Sequence, residues 1–194
     1  MKVWGLTGGV GMGKSTAART LRACGVPVVD TDDLARQFVQ PGEPALAEIK
    51  TFFGKDMVAS DGQLRRDELA RIVFFDDVAR HKLEAILHPR IRQGWLAQIE
   101  AWRKDNHPVA VVVIPLLFET QAESHFEKTI CVACSPTAQL ERLAARGWDA
   151  DQTRQRIAAQ LPVEQKIARS HYVIWAEGLL EVQHQQIEKI LQKL

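Results

Sequence analysis

The stretch Gly8-Gly9-Val10-Gly11-Met12-Gly13-Lys14-Ser15-Thr16 narrows the folds open to this chain more than any other. An apolar run, Val3-Trp4-Gly5-Leu6, leads into it, and an alanine-rich helical pattern follows at once. Gly8-x4-Gly13-Lys14-Ser15 has the spacing of a Walker A motif, and strand, loop and helix start are the context that motif needs. Glycines let the backbone curl until successive N–H groups face one phosphate chain. The helix behind adds its unpaired first-turn N–H groups and the positive end of its dipole. Lys14 then suits the β- and γ-phosphates, and the Ser15 hydroxyl suits Mg²⁺. The expected nucleotide contacts are Gly9, Val10, Gly11, Met12, Gly13, Lys14, Ser15 and Thr16. The alternative is a glycine-rich turn that binds nothing, which the flanking strand and helix patterns disfavour.

With 194 residues, 46% hydrophobic and 25% charged, the chain suits one α/β core with a small appendage. Its formal net charge of +1 gives no reason to expect a nucleic-acid partner, so small phosphorylated partners are expected. No apolar run approaches the ~20 residues of a membrane span, and no signal-peptide pattern opens the chain, so a cytoplasmic address is expected. Cys131 and Cys134 form a C-x-x-C, but it lies in an apolar strand-like run without a second ligand pair. Packing is the better reading.

Strands are expected at Lys2 to Thr7, Val26 to Asp30, Val109 to Ile114, Thr129 to Cys134 and Tyr172 to Trp175. The first crossover has βαβ spacing, so the strands should be parallel, with a helix from Lys14 to Cys24 capped by Gly25. Between strands two and three the pattern is helical: Pro44 to Phe53, Arg66 to Phe75, Val78 to Leu87 and Pro89 to Lys104. Leu46, Ile49, Phe52 and Phe53 should lie on one side of the first of these, which Gly54 ends. A helix after Pro136 should turn Leu140 and Leu143 inward, and another should run from Asp151 to about Gln160. The last, Leu179 to Leu194, should bury Leu180, Ile187, Ile190 and Leu191. The expected fold is a doubly wound, five-stranded parallel α/β sheet of the P-loop NTPase type, with ligands at the C-terminal strand ends. The core is expected at 1–33 and 105–194, with a helical insertion at 34–104 for substrate.

Candidate chemical groups follow the strands. After strand two comes Asp30-Thr31-Asp32-Asp33, and continued strand geometry would turn Asp30 and Asp32 the same way. A carboxylate there can take the proton of an attacking hydroxyl. The alternative is an N-cap for a helix at Leu34, a role Asp33 fits best. Arg142 and Arg146 could neutralise charge on a transferring phosphoryl group from a mobile flap, or form a solvated face beside Glu141. His88, before Pro89, marks a break between two helices and is open to a structural or a substrate-contact role. Glu119 could contact substrate or Mg²⁺-bound water, or cap a loop.

These stretches together give the chain a resemblance to the dephospho-coenzyme A kinase family along nearly its whole length. The carrying features are Leu6 to Thr16, Val29-Asp30-Thr31-Asp32, Pro41-Gly42, Phe53-Gly54, Asp61-Gly62 with Leu64 and Arg66, His88-Pro89, Pro115-Leu116-Leu117-Phe118-Glu119, and Gln139 with Arg142. The resemblance implies transfer of the ATP γ-phosphoryl group to the 3′-hydroxyl of dephospho-coenzyme A, with Mg²⁺. It implies a helical coenzyme-A-binding subdomain and a lid at about 139–162. Asp32 becomes the base, Lys14 and Ser15 the phosphate and Mg²⁺ ligands, and Arg142 the lid arginine. Thr7, Arg66, His88, Leu116, Leu117 and Glu119 join Asp32 as substrate contacts.

Two departures stand out. Relatives often carry an aspartate where this chain has Val113, so Mg²⁺ would fall to Ser15, Asp30 and water. Where relatives show Ala-Asp before strand five and Asp-Asn after it, this chain has Ser170-His171 and Trp175-Ala176. The rival readings are another small-molecule P-loop kinase and a GTP-binding switch, but the Asn-Lys-x-Asp guanine motif of the latter is absent from the sequence.

Overall fold

The Val/Ile runs become central strands because helices cover both sheet faces, leaving no side for polar residues. The computed structural model describes residues 1–193. Its sheet contains β1 (Lys2–Thr7), β2 (Val28–Asp30), β3 (Val109–Val113), β4 (Lys128–Ala133) and β5 (Tyr172–Trp175), in the order β2-β3-β1-β4-β5. The strands are parallel, with Lys2 opposite Val109, Leu6 opposite Ile130 and Ile130 opposite Tyr172. The helices are α1 (Lys14–Ala23), α2 (Thr31–Phe38), α3 (Pro44–Phe53), α4 (Arg66–Phe75), α5 (Asp77–Lys104), α6 (Pro136–Ala144), α7 (Ala150–Ala158), α8 (Val163–Arg169) and α9 (Leu180–Leu191).

The chain forms two compact units, Met1–Val29 with Ala101–Leu194, and Asp30–Glu100. In the first, Trp4 and Leu6 of β1, Ala17, Ala18 and Leu21 of α1, and Ile187 and Ile190 of α9 form one core with Val111, Val113, Ile130, Val132 and Ile174. In the second, Val39, Ala45, Ile49, Met57, Leu69 and Ile86 form a separate core. Gly54, at φ 101°, ends α3.

Several boundaries depart from the sequence reading, each for a local reason. Strand β2 starts at Val28 rather than Val26, because Val26 N–H is spent on Leu21 O (3.0 Å) and Gly25 N–H on Arg22 O, a Schellman cap closing α1. Helix α2 begins at Thr31, so Asp30, not Asp33, is its N-cap, accepting the Asp32 N–H at 2.9 Å. Strand alternation therefore stops at Asp30, and Asp30 and Asp32 do not face the same way as strand residues. The break at His88 is absent, since α5 runs unbroken through Pro89. His88 and Pro89 are both exposed, so water can reach the carbonyl that the missing N–H leaves free, and the Arg90 guanidinium bonds Ile86 O in the same turn.

Leu140 and Leu180 are exposed, and Gln139 and Gln183 take the inward positions instead. Phe52 is exposed as well. Helix α8 lies in a stretch to which the sequence reading assigned no element, and Leu194 is outside the described residues.

Candidate active site

The glycine loop leaves β1 through Gly8, whose φ is 148°, and a Cβ there would sit 2.3 Å from Val132 O. Only glycine fits that approach. Gly13, at φ 96°, is the N-cap of α1, which has no side-chain cap and no acidic residue in its first turn. That leaves the positive end of the helix to an external anion. Lys14 Nζ lies 2.8 Å from Gly8 O and 3.0 Å from Gly9 O, so its ammonium is folded over the loop. Ser15 is exposed in the first turn, and Met12 is buried with Ala133 and Cys134. Thr7 is buried, its hydroxyl donating to Pro115 O at 3.0 Å.

Beside the loop is a cleft lined by Gly11, Gly13, Thr16, Arg142, Arg146 and Gln183, among others. Arg142 donates through one guanidinium nitrogen to Ala176 O, and its other terminal nitrogen, Nη1, is buried without a hydrogen-bond partner among the described residues. That bond to the main chain fixes the arginine at the cleft wall. Arg146 lies past the end of α6, exposed. The Gln183 amide, donor and acceptor alike, is buried and unpartnered among the described residues. Next to the cleft, Ser135 N–H donates to Glu177 at 2.9 Å, and that bond holds the exposed carboxyl below its usual range. His171 accepts the Thr129 N–H on Nδ1 at 3.1 Å, which fixes the ring in its Nε2–H form.

Glu119 is drawn inward. It accepts the Leu161 N–H at 2.8 Å and pairs with Lys166 Nζ at 2.8 Å. Lys166 is fully buried and also donates to Pro115 O at 2.8 Å. Burial alone would raise the Glu119 pKa, but the bonds from Lys166 and from Leu161 outweigh it and hold it below the usual carboxylate range. Leu116 is exposed, whereas Leu117, also expected to touch substrate, is fully buried against Phe126 and Gly5, where its side chain packs the core. Cys131 and Cys134 are buried free thiols, and burial pushes Cys131 up to about 11. Among the described residues no group of three His, Cys, Asp or Glu side chains is placed to hold a metal.

Asp32, Arg66 and His88 belong to the second unit. Asp32 is exposed in the first turn of α2, Arg66 is the exposed first residue of α4, and His88 is exposed along α5. Sequence reasoning assigned no role to Gln160, Lys166 or Gln183. Each is an ordinary helix-compatible residue without a motif of its own, so no local signal marks it.

A sequence profile described as dephospho-CoA kinase matches residues 2–181. The chain belongs to the dephospho-CoA kinase family. Among relatives of that family, the dephospho-CoA kinase of Anaeromyxobacter dehalogenans is 42% identical over 195 residues, covering 100% of this chain and 92% of the relative. That of Bdellovibrio bacteriovorus is 41% identical over 174 residues, covering 90% and 87%. The crystal structure of TT1252 from Thermus thermophilus is 34% identical, with a TM-score of 0.84, covering 100% of this chain and 97% of that one. As a member of the dephospho-CoA kinase family, the chain is an ATP-dependent phosphotransferase acting on dephospho-CoA in coenzyme A biosynthesis. No helix among the described residues is long and apolar enough to cross a membrane.

Proposed function

We propose that the glycine loop holds the ATP triphosphate and that Asp32 takes the proton of the 3′-hydroxyl of dephospho-CoA. The observation carrying this reading is the start of α1, which has neither side-chain cap nor acidic residue while Lys14 is folded onto the loop. Backbone N–H groups between Gly11 and Thr16 bind the phosphates, the Val10 N–H being taken by Gln160, and Lys14 exchanges its two loop carbonyls for phosphate oxygens. The 3′-oxygen forms the new bond to the γ-phosphorus, the β,γ-bridging oxygen leaves with ADP, and the proton passes to the Asp32 carboxylate. Arg142 and Arg146 neutralise charge on the transferring group. The Ser15 hydroxyl, exposed at the mouth, suits a Mg²⁺ held otherwise by phosphates and water, as this ion prefers. Bound there, the ion would offset charge on the β- and γ-phosphates.

Residues 34–104 act as the coenzyme-A-binding subdomain, with Arg66, His88 and Leu116 as substrate contacts, and 139–162 as a lid that keeps water from the γ-phosphate. Glu119 contributes to substrate binding indirectly, by fixing the loop that carries Leu116. The setting is the cytoplasm. A coupled ADP-release assay with dephospho-CoA as sole acceptor tests the reaction, with nucleosides expected to give only background. Asp32→Asn should lower turnover by about 10²-fold or more while ATP affinity stays within about twofold. Unchanged turnover would remove Asp32 from the mechanism.

A further inference from the structure

Two glutamines hold one residue of the glycine loop from opposite ends. Gln139 Nε2 donates to Val10 O at 2.7 Å, and Gln160 Oε1 accepts the Val10 N–H at 2.8 Å. Gln139 is buried on α6, and Gln160 follows α7, so the grip comes from both roots of the α6–α7 segment. The residue type suits the place. An amide offers a donor and an acceptor without charge, whereas a carboxylate would set a negative group beside a triphosphate. The anchor behind Gln160 is itself fixed, since Leu161 N–H bonds Glu119, which pairs with buried Lys166. Lys166 in turn bonds Pro115 O, the same carbonyl that accepts the Thr7 hydroxyl. Hydrogen bonds, with the Gln160–Leu161 peptide link between them, thus join the loop apex to the ends of β1 and β3. Val10 stands between Gly9 and Gly11, which have no side chains with which to fix the apex by packing.

We propose that Gln160, together with Gln139, is a positioning residue that keeps the glycine loop in its phosphate-binding shape before ATP arrives. It thereby ties that shape to the α6–α7 segment. The inference rests on the reading that this loop binds ATP.

Two substitutions test it: Gln160→Met, of similar reach but with no oxygen acceptor, and Gln160→Glu, which keeps the acceptor. In nucleotide-free protein, amide exchange at Val10 should quicken about fivefold in Gln160→Met, the worth of one hydrogen bond. Exchange at Val132 in β4 should not change, and Gln160→Glu should restore slow exchange at Val10. In turnover, Gln160→Met should raise the KM for ATP about fivefold, with kcat and the KM for dephospho-CoA within about twofold. A residue that merely braces the fold would lower Tm and kcat and leave the ATP KM alone. That outcome, or unchanged exchange at Val10, overturns the proposal. Failure of the wild-type chain to bind ATP would overturn the nucleotide reading instead, and the Val10 exchange comparison would still decide whether the grip exists.

Discussion

The Glu119–Lys166 pair invites a quantitative test, because its two halves differ in burial. The Lys166 side chain is 0% exposed and that of Glu119 20%. Removing one member of a buried pair costs about 3–5 kcal/mol, mostly from stranding the other charge. Glu119→Gln leaves the ammonium inside with Pro115 O still accepting from it, so about 3 kcal/mol is expected. Lys166→Met strands a carboxylate that water can partly reach and that keeps the Leu161 N–H, so about 2 kcal/mol is expected. The double substitution removes both charges and keeps the Leu161 bond through the glutamine oxygen. It should cost no more than the milder single change, a coupling of about 3 kcal/mol. Urea unfolding followed by circular dichroism measures all four proteins, and the larger loss corresponds to a Tm lower by roughly 6–12 °C. If Glu119→Gln lies within about 1 kcal/mol of the parent, or the two single losses simply add, the pair does not hold these elements together.

Two further outcomes concern the same carboxylate and the glycine loop. Because the folded-state pKa of Glu119 is lowered, its contribution is complete above the unfolded carboxylate value near ~4.3 and disappears as pH falls through the lower folded value. Acid melts should therefore show a weaker pH dependence below that point in Glu119→Gln, and an unchanged slope would contradict the assignment. Gly8→Ala should destabilise by about 3 kcal/mol or more and abolish ATP binding in calorimetry, since its methyl would meet Val132 O at 2.3 Å with φ at 148°. A near-neutral Gly8→Ala would mean that this approach is not needed.

Much of the first unit was legible because its signals are local. The glycine loop, the Val/Ile strands and the Schellman glycine each declare themselves within a few residues. What escaped reading depended on partners distant in sequence. Leu140 and Leu180 read as core by periodicity, yet the neighbours of α6 and α9 put Gln139 and Gln183 inward. Asp33 looked the better cap by position, but Asp30, ending β2, was already aligned with the Asp32 N–H. Pro89 suggested two helices because proline removes a donor, and the exposed turn around it tolerates that loss. In the site, the Walker A residues were readable from type and spacing alone. Lys166 and Gln160 were not, because their roles come from bonds to residues 51 and 150 positions away.

The bare start of α1 has a consequence beyond the reaction. A helix that carries no cap of its own borrows one from its ligand, so metabolite supply becomes a determinant of how long the protein stays folded. At a free nucleotide level of about 100 times its dissociation constant, the native state gains about 2.7 kcal/mol. Without nucleotide that margin is absent, and the open, cleavable population rises by the same factor of about 100.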